Sequence, residues 1–120
     1  MFDLRDTDPS LLTSAQTFLQ VSSSLQQVSR FVSVKAGESV TLQCFSYPDT
    51  TSKFSWFKLS FGQKPKLISI VYMYDPNGSF YNEFKDNPRF TQDNKGNLNN
   101  LKITNLQPSD SATYFCITGN

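Results

Sequence analysis

Two cysteines and the aromatic residues around them constrain the fold of this chain more than any other feature. Cys44 ends the alternating segment VTLQC, and Trp56 follows twelve residues later. Cys116 ends a second alternating segment, ATYFC, in which Tyr114 lies two residues before the cysteine. Such alternation predicts β-strands with one buried face, so the cysteines and the tyrosine point inward. The two cysteines are either free buried thiols or one structural disulfide.

Short alternating segments continue along the chain from Val32 onward, with turn signals between them. The clusters DPNG at 75–78 and DNKGN at 93–97 predict turns, because Asn and Gly readily adopt positive φ. The segment QPSD at 107–110 is long enough for a single helical turn only. This pattern predicts an all-β sandwich or barrel.

The composition argues against several functional classes. The chain has no histidine, which removes the usual general base and the commonest metal ligand. Its 11 basic and 10 acidic residues give no basic face for phosphates, and no apolar run approaches the roughly 20 residues that span a bilayer. We therefore expect no enzyme, no catalytic residue, no metal or other cofactor, and no nucleic-acid partner.

The combination of Cys44, Trp56 and Tyr114-x-Cys116 resembles the immunoglobulin variable-type domain, as do the segments GESVTLQC, FGQKPKLI and DSATYFC. The resemblance implies a β-sandwich of two antiparallel sheets with one inter-sheet disulfide, Cys44–Cys116, and with Trp56 packed against it. The interval between Trp56 and Arg89 has room for two extra strands, C′ and C″. Family members continue beyond the second cysteine, so strand G is expected to be missing or truncated here.

The resemblance also assigns roles to residues at one corner of the sandwich. Tyr114 is expected to turn its hydroxyl back to the backbone near Asp110. Asp110 is expected to pair with Arg89 across the bottom of the sandwich, where a partly buried ion pair is costly to break from one side.

Four longer segments are similar to the novel immune-type receptors of bony fish: FVSVKAGESVTLQC, GQKPKLISIVY, YNEFKDNPRF and LKITNLQPSDSATYFC. This resemblance implies a lymphocyte receptor on the extracellular side of the plasma membrane, anchored by a segment outside this sequence, that binds a protein ligand on another cell in innate immunity. The alternatives are a T-cell receptor or antibody light-chain variable domain and an adhesion-type immunoglobulin domain.

Family resemblance places ligand binding at the B–C, C′–C″ and F–G loops. Tyrosine supplies rigid contact area at low entropy cost, although exposed tyrosines can equally be surface filler. Asn77 also begins an N-glycosylation pattern, Asn-Gly-Ser, for which a plain turn is the alternative. The candidate ligand-binding residues are Tyr47, Pro48, Asp49, Thr50, Tyr74, Asp75, Asn77, Ile117, Thr118 and Gly119, with Tyr47 and Tyr74 favoured.

A contiguous apolar patch is expected on the outward face of strands C, C′ and F, where paired variable domains meet. Its members are Phe57, Leu59, Pro65, Leu67 and Phe115. We predict a homodimer, or pairing with a related variable domain, through this patch. In the alternative, strand G and the third loop cover Phe57 and Phe115.

Residues 1–22 differ in composition from residues 23–120, which form the variable-type domain. The first 22 residues are predicted to be a flexible extension, natural or added. The segment TFLQVSS at 17–23 alternates like the end of a joining segment. One hypothesis is that this extension covers the edge that strand G would occupy, in its own molecule or in a neighbour.

Overall fold

A computed structural model describes residues 2–3, 17–21, 30–45, 53–72 and 77–119 of the chain, with side chains described from residue 35 onward. The described residues form β-strands and two short 3₁₀ turns, and no α-helix occurs among them. The strands are β1 Phe2–Asp3, β2 Thr17–Val21, β3 Arg30–Val34, β4 Val40–Phe45, β5 Lys53–Leu59, β6 Lys66–Tyr72, β7 Ser79–Phe80, β8 Phe90–Lys95, β9 Leu98–Ile103 and β10 Thr113–Gly119; the turns are η1 Asn82–Phe84 and η2 Pro108–Asp110.

The strands form two sheets that face each other across one core. The larger sheet has the order β1-β10-β5-β6-β7 and the smaller one the order β4-β9-β8, while β2 and β3 form a separate two-stranded ribbon. Every strand pair is antiparallel. The sequence prediction of an all-β sandwich of two antiparallel sheets is therefore confirmed.

The core is built from the inward positions of the alternating strands. Residues of β4 and β9 meet residues of β5 and β10, and each fully buried aliphatic side chain stabilises the fold by about 1.5–3 kcal/mol. The disulfide Cys44–Cys116 joins β4 to β10, with 6.3 Å between the two Cα atoms. The fully buried core side chains are Leu42, Phe54, Trp56, Ile68, Val71, Leu101, Ile103 and Tyr114.

A β-bulge in β6 breaks the simple alternation of that strand. Trp56 lies opposite Ser69, and Phe57 lies opposite Leu67, so Ile68 is an extra residue between the two pairs. Both Ile68 and Ser69 are fully buried as a result. The buried Ser69 hydroxyl donates to the Gln92 side-chain oxygen on β8, at 3.0 Å, and so links the two sheets.

The hairpin between β8 and β9 is longer than the turn signals indicated. The sequence predicts a turn over 93–97, whereas Lys95 pairs with Leu98 and leaves only Gly96 and Asn97 in the turn. Gly96 has a φ of +61°, the left-handed conformation that a tight hairpin turn requires. The polar residues of 93–95 extend β8 because the neighbouring β9 supplies their backbone partners.

The N-terminal segment also contributes strands. Phe2 pairs with Tyr114 and Asp3 with Thr113, so β1 lies at the edge of β10 that faces away from β5. This is the edge at which the sequence predicts that strand G is missing or truncated. Farther along, β2 pairs with β3 over five residues, from Thr17 opposite Val34 to Val21 opposite Arg30.

Candidate protein-binding surface

The indole of Trp56 anchors the centre of the sandwich beside the disulfide. Trp56 is 1% exposed and lies opposite Cys116 in the β5–β10 pairing. Its Nε1–H donates to Oδ1 of the fully buried Asn99, at 2.7 Å. Asn99 thereby provides the hydrogen-bond acceptor that the buried indole N–H requires, a role that the sequence analysis missed.

The corner before β10 is fixed by the residues that the resemblance indicated. The Tyr114 hydroxyl donates to the Asp110 backbone oxygen at 2.7 Å. The Asp110 carboxylate accepts from Arg89 Nη1 at 2.7 Å and from Nη2 at 3.0 Å, and also from the Gln107 backbone N–H at 2.8 Å. This arrangement connects Tyr114 of β10 to the η2 turn and to Arg89, just before β8.

Electrostatics at this corner follow from burial and pairing. Burial of the hydroxyl raises the pKa of Tyr114 well above its ordinary value. The hydrogen bond to Asp110 raises the pKa of Arg89, which stays charged. Burial lowers the pKa of Lys58, whose ammonium donates to the Ser109 backbone oxygen at 2.7 Å. The corner is a structural network.

The solvent side of β5, β6 and β10 forms an apolar surface, here called the outer face. Phe57 and Phe115 lie opposite each other and stack with ring centroids 5.1 Å apart. Leu67 lies opposite Phe57 on the other side, so these three side chains form a row across the sheet. All three are partly exposed, and this stacked row is the centre of the outer face.

The outer face extends beyond the predicted patch. Leu59 lies one row from the stack, opposite Thr113. Pro65 is exposed just before β6. In the other direction the pairing adds Ile70 and Ile117, which both lie opposite Ser55, and then Tyr72. Ile117 is 44% exposed and Tyr72 is 52% exposed. None of these side chains carries a charge.

The candidate loop residues fall into two groups. The structure places Ile117, Thr118 and Gly119 on strand β10, paired with β5, although the sequence analysis named them as candidates for the ligand-binding loops. Ile117 is exposed on the outer face, while Thr118 is 9% exposed and points inward. Asn77 is exposed just before β7. The remaining candidates lie outside the described residues: Tyr47, Pro48, Asp49, Thr50, Tyr74 and Asp75.

The part of the chain that the structure describes contains no group of three or more His, Cys, Asp or Glu side chains arranged to hold a metal ion. It also contains no helix that is long and apolar enough to span a membrane. The partly exposed aromatic row makes the outer face the main candidate for function within the described ranges. Its chemistry suits contact with another protein surface.

Comparisons with known proteins agree with this architecture. Residues 27–120 match the model of the immunoglobulin V-set domain family. The Ig kappa chain V region K-25 of Oryctolagus cuniculus is 31% identical over 94 residues, which make up 78% of this chain and 81% of that relative. The V-set match covers all strands from β3 onward, and hence the whole of the outer face.

Proposed function

Because this chain belongs to the immunoglobulin V-set family, we propose that it is the ligand-recognition domain of a lymphocyte immune receptor. V-set domains are typically recognition modules of extracellular or secreted immune proteins, rather than enzymes. We infer that this domain is displayed at the cell surface, pairs with another V-type domain through its outer face, and presents its loops to a protein on another cell.

The stacked pair Phe57–Phe115 is the observation that carries the pairing proposal. These rings and the neighbouring Leu67 are uncharged, partly exposed and contiguous. Aromatic residues are enriched at the centre of protein interfaces, and charged residues are depleted there. A second copy, or a related variable domain, would remove this apolar row from water.

Two receptor classes fit the proposed role. The segments quoted above are similar to the novel immune-type receptors of bony fish, and we favour a receptor of that class. The identity to an Ig kappa chain V region favours the second candidate, the variable domain of an antigen-receptor chain. The sequence that follows residue 120 in the transcript distinguishes them. A transmembrane span with a signalling tail would indicate the first class, and an immunoglobulin constant domain the second.

We predict that Leu59→Arg weakens self-association through the outer face by at least about tenfold. The substitution places a charge one row from the aromatic stack, where pairing would remove it from water without a partner. Sedimentation equilibrium at high micromolar concentration measures the change. Thr41→Arg is the matched control, because Thr41 is exposed on β4 of the other sheet. A native chain that is monomeric at that concentration, or a dimer that survives Leu59→Arg, contradicts the pairing proposal.

Ligand contact is proposed for the loops at the end of the sandwich where Asn77 lies. Tyrosine side chains are frequent hot spots in such loops. A glycan on Asn77 would shield part of this end, and its exposed position is compatible with modification. Intact mass of protein from a eukaryotic host shows whether the glycan is present.

The loop proposal predicts that Tyr47→Ala and Tyr74→Ala each reduce binding to a cell-surface ligand by at least about tenfold. The probe is a fluorescent streptavidin tetramer of the biotinylated domain on a panel of leukocyte lines. Tyr81→Ala is the matched control, because Tyr81 is 37% exposed and is not among the candidate ligand-binding residues. Equal staining by all variants would contradict loop-mediated binding and favour adhesion through the outer face. Absence of staining by the native tetramer counts against a surface ligand on these cells.

A further inference from the structure

A hollow lies within the outer face, and Ser55 forms its floor. Along β5, Phe54 and Trp56 point into the core, so the side chain between them points outward. Ser55 is nevertheless only 7% exposed, although Ile117 on the neighbouring strand is 44% exposed. A small side chain that points outward and is still buried lies below the level of its larger neighbours.

Four larger side chains surround Ser55. Ile70 of β6 and Ile117 of β10 lie directly opposite it, one on each side. Lys53 and Phe57 lie two residues before and after it on β5, and therefore on the same face. Cβ atoms at directly opposite positions are about 4.5–5.5 Å apart, so the two isoleucines flank the serine closely. The hollow, here called the Ser55 socket, has mainly apolar walls and a hydroxyl group at its floor.

This chemistry fits a tyrosine side chain. The ring of a tyrosine would contact the apolar walls, and its hydroxyl would meet a serine hydroxyl that can donate or accept a hydrogen bond. The outer face carries such a side chain one row from the socket. Tyr72 lies opposite Lys53 and, at 52%, is the most exposed aromatic side chain of the outer face. The face therefore supplies both a socket and a side chain that suits it.

We propose that the Ser55 socket of one molecule receives Tyr72 of a second copy, and that the reverse contact forms at the same time. A two-fold interface requires this reciprocity, because each residue pair in it occurs twice. The inference rests on the pairing through the outer face proposed above, and it names the contact that specifies the partner. Tightly packed aromatic side chains in pockets often contribute most of the binding energy at such interfaces.

The socket and a flat apolar contact predict opposite effects of a larger side chain at position 55. In a flat contact, Ser55→Leu adds apolar area that pairing removes from water, and the pairing becomes tighter. In the socket, the same substitution occupies the space that Tyr72 needs. The sign of the change therefore distinguishes the two arrangements.

The first test is Ser55→Leu, for which we expect self-association at least about tenfold weaker by sedimentation equilibrium. Ser55→Ala keeps the space and should change the affinity by less than about threefold. Thr113→Leu is the matched control, because Thr113 is partly exposed on the outer face, opposite Leu59, and lies outside the socket. Tighter or unchanged pairing of Ser55→Leu, with Leu59→Arg still disruptive, overturns the socket and leaves the pairing proposal standing. A monomeric native chain overturns both.

The second test places Ser55→Leu and Tyr72→Ala in two arrangements. In the first, each copy of a mixed pair carries one substitution, so the filled socket faces the shortened side chain and the other socket keeps its tyrosine. In the second, one copy carries both substitutions and its partner is native, so the filled socket faces an intact Tyr72.

Energy transfer between differently labelled copies measures the affinity of each mixed pair. We expect the first arrangement to pair at least about tenfold more tightly than the second. Both pairs contain the same two substitutions, so a general loss of stability affects both, and circular dichroism shows whether each variant is folded. If Ser55→Leu does not fold, Ser55→Val replaces it in both tests, because a β-branched side chain suits a strand. Equal affinities of the two arrangements overturn the proposal.

Discussion

The protein in which alanine replaces both Cys44 and Cys116 is expected to lose about 4 kcal/mol of its free energy of unfolding. The disulfide joins residues 72 positions apart, so its removal frees a large closed loop in the unfolded chain. It also connects β4 of the smaller sheet to β10 of the larger one. Domains of this kind are stable by only about 5–15 kcal/mol, so the loss is a large fraction of the total.

Urea unfolding followed by circular dichroism measures this change. The reduced native protein is the matched control, because it keeps both sulfur atoms in the core while losing the bond. The difference in the free energy of unfolding between the reduced protein and the alanine variant then gives the contribution of sulfur packing to stability. A loss smaller than about 1 kcal/mol in both proteins would contradict the loop-closure argument.

Asp110→Ala is expected to lower the free energy of unfolding by about 3–5 kcal/mol. Asp110 is 2% exposed, and its carboxylate accepts two hydrogen bonds from Arg89. Removing it leaves the Arg89 guanidinium, whose side chain is 18% exposed, without its charged partner. The Gln107 backbone N–H at the start of η2 also loses its acceptor.

Thermal and urea unfolding give the size of this effect, and an exposed ion pair on the same molecule provides the comparison. Lys66 Nζ lies 2.9 Å from Glu83 Oε2, but the two side chains are 46% and 52% exposed. Glu83→Ala is therefore expected to cost less than about 1 kcal/mol. If Asp110→Ala costs no more than Glu83→Ala, burial does not determine the strength of the Arg89–Asp110 pair.

The core of the fold could be predicted from sequence because its signals are local. Strict alternation in β4 and β10 places Leu42, Cys44, Tyr114 and Cys116 inward, and all four are buried. Trp56 combines with both cysteines in a specific pattern, so the topology followed from resemblance. The single turn at η2 was also visible, because proline at its start favours a short turn.

Other features depend on contacts with distant residues and have no local signal. The bulge that buries both Ile68 and Ser69 is imposed by the register between β5 and β6. The strand assignment of Ile117 depends on its pairing with Ser55. Likewise, a two-residue strand such as β1 is too short for its pattern to identify β10 as its partner.

The outer face was predicted in part. Phe57 and Phe115 were identified because alternation assigns them to the side opposite Trp56 and Cys116, whereas Leu67 was identified from the resemblance to paired variable domains. Ile70 and Tyr72 were not assigned to it, because the bulge in β6 changes which residues of that strand point outward. Asn99 was missed as well, since an asparagine within a polar strand sequence gives no sign that it accepts a buried indole N–H.

The position of β10 in the larger sheet has a consequence for folding during synthesis. β10 is the last of the described strands to leave the ribosome, yet it lies between β1 and β5 and carries Tyr114 and Cys116. Chains emerge from the ribosome at about 5–20 residues per second, so the earlier strands are exposed before β10 is available to pair with them. β1 emerges before the other described strands and is thus among the last to reach its partner. Nascent chains pass through an interval in which one edge of β5 lacks its neighbour, and a chaperone that binds exposed strands would act in that interval.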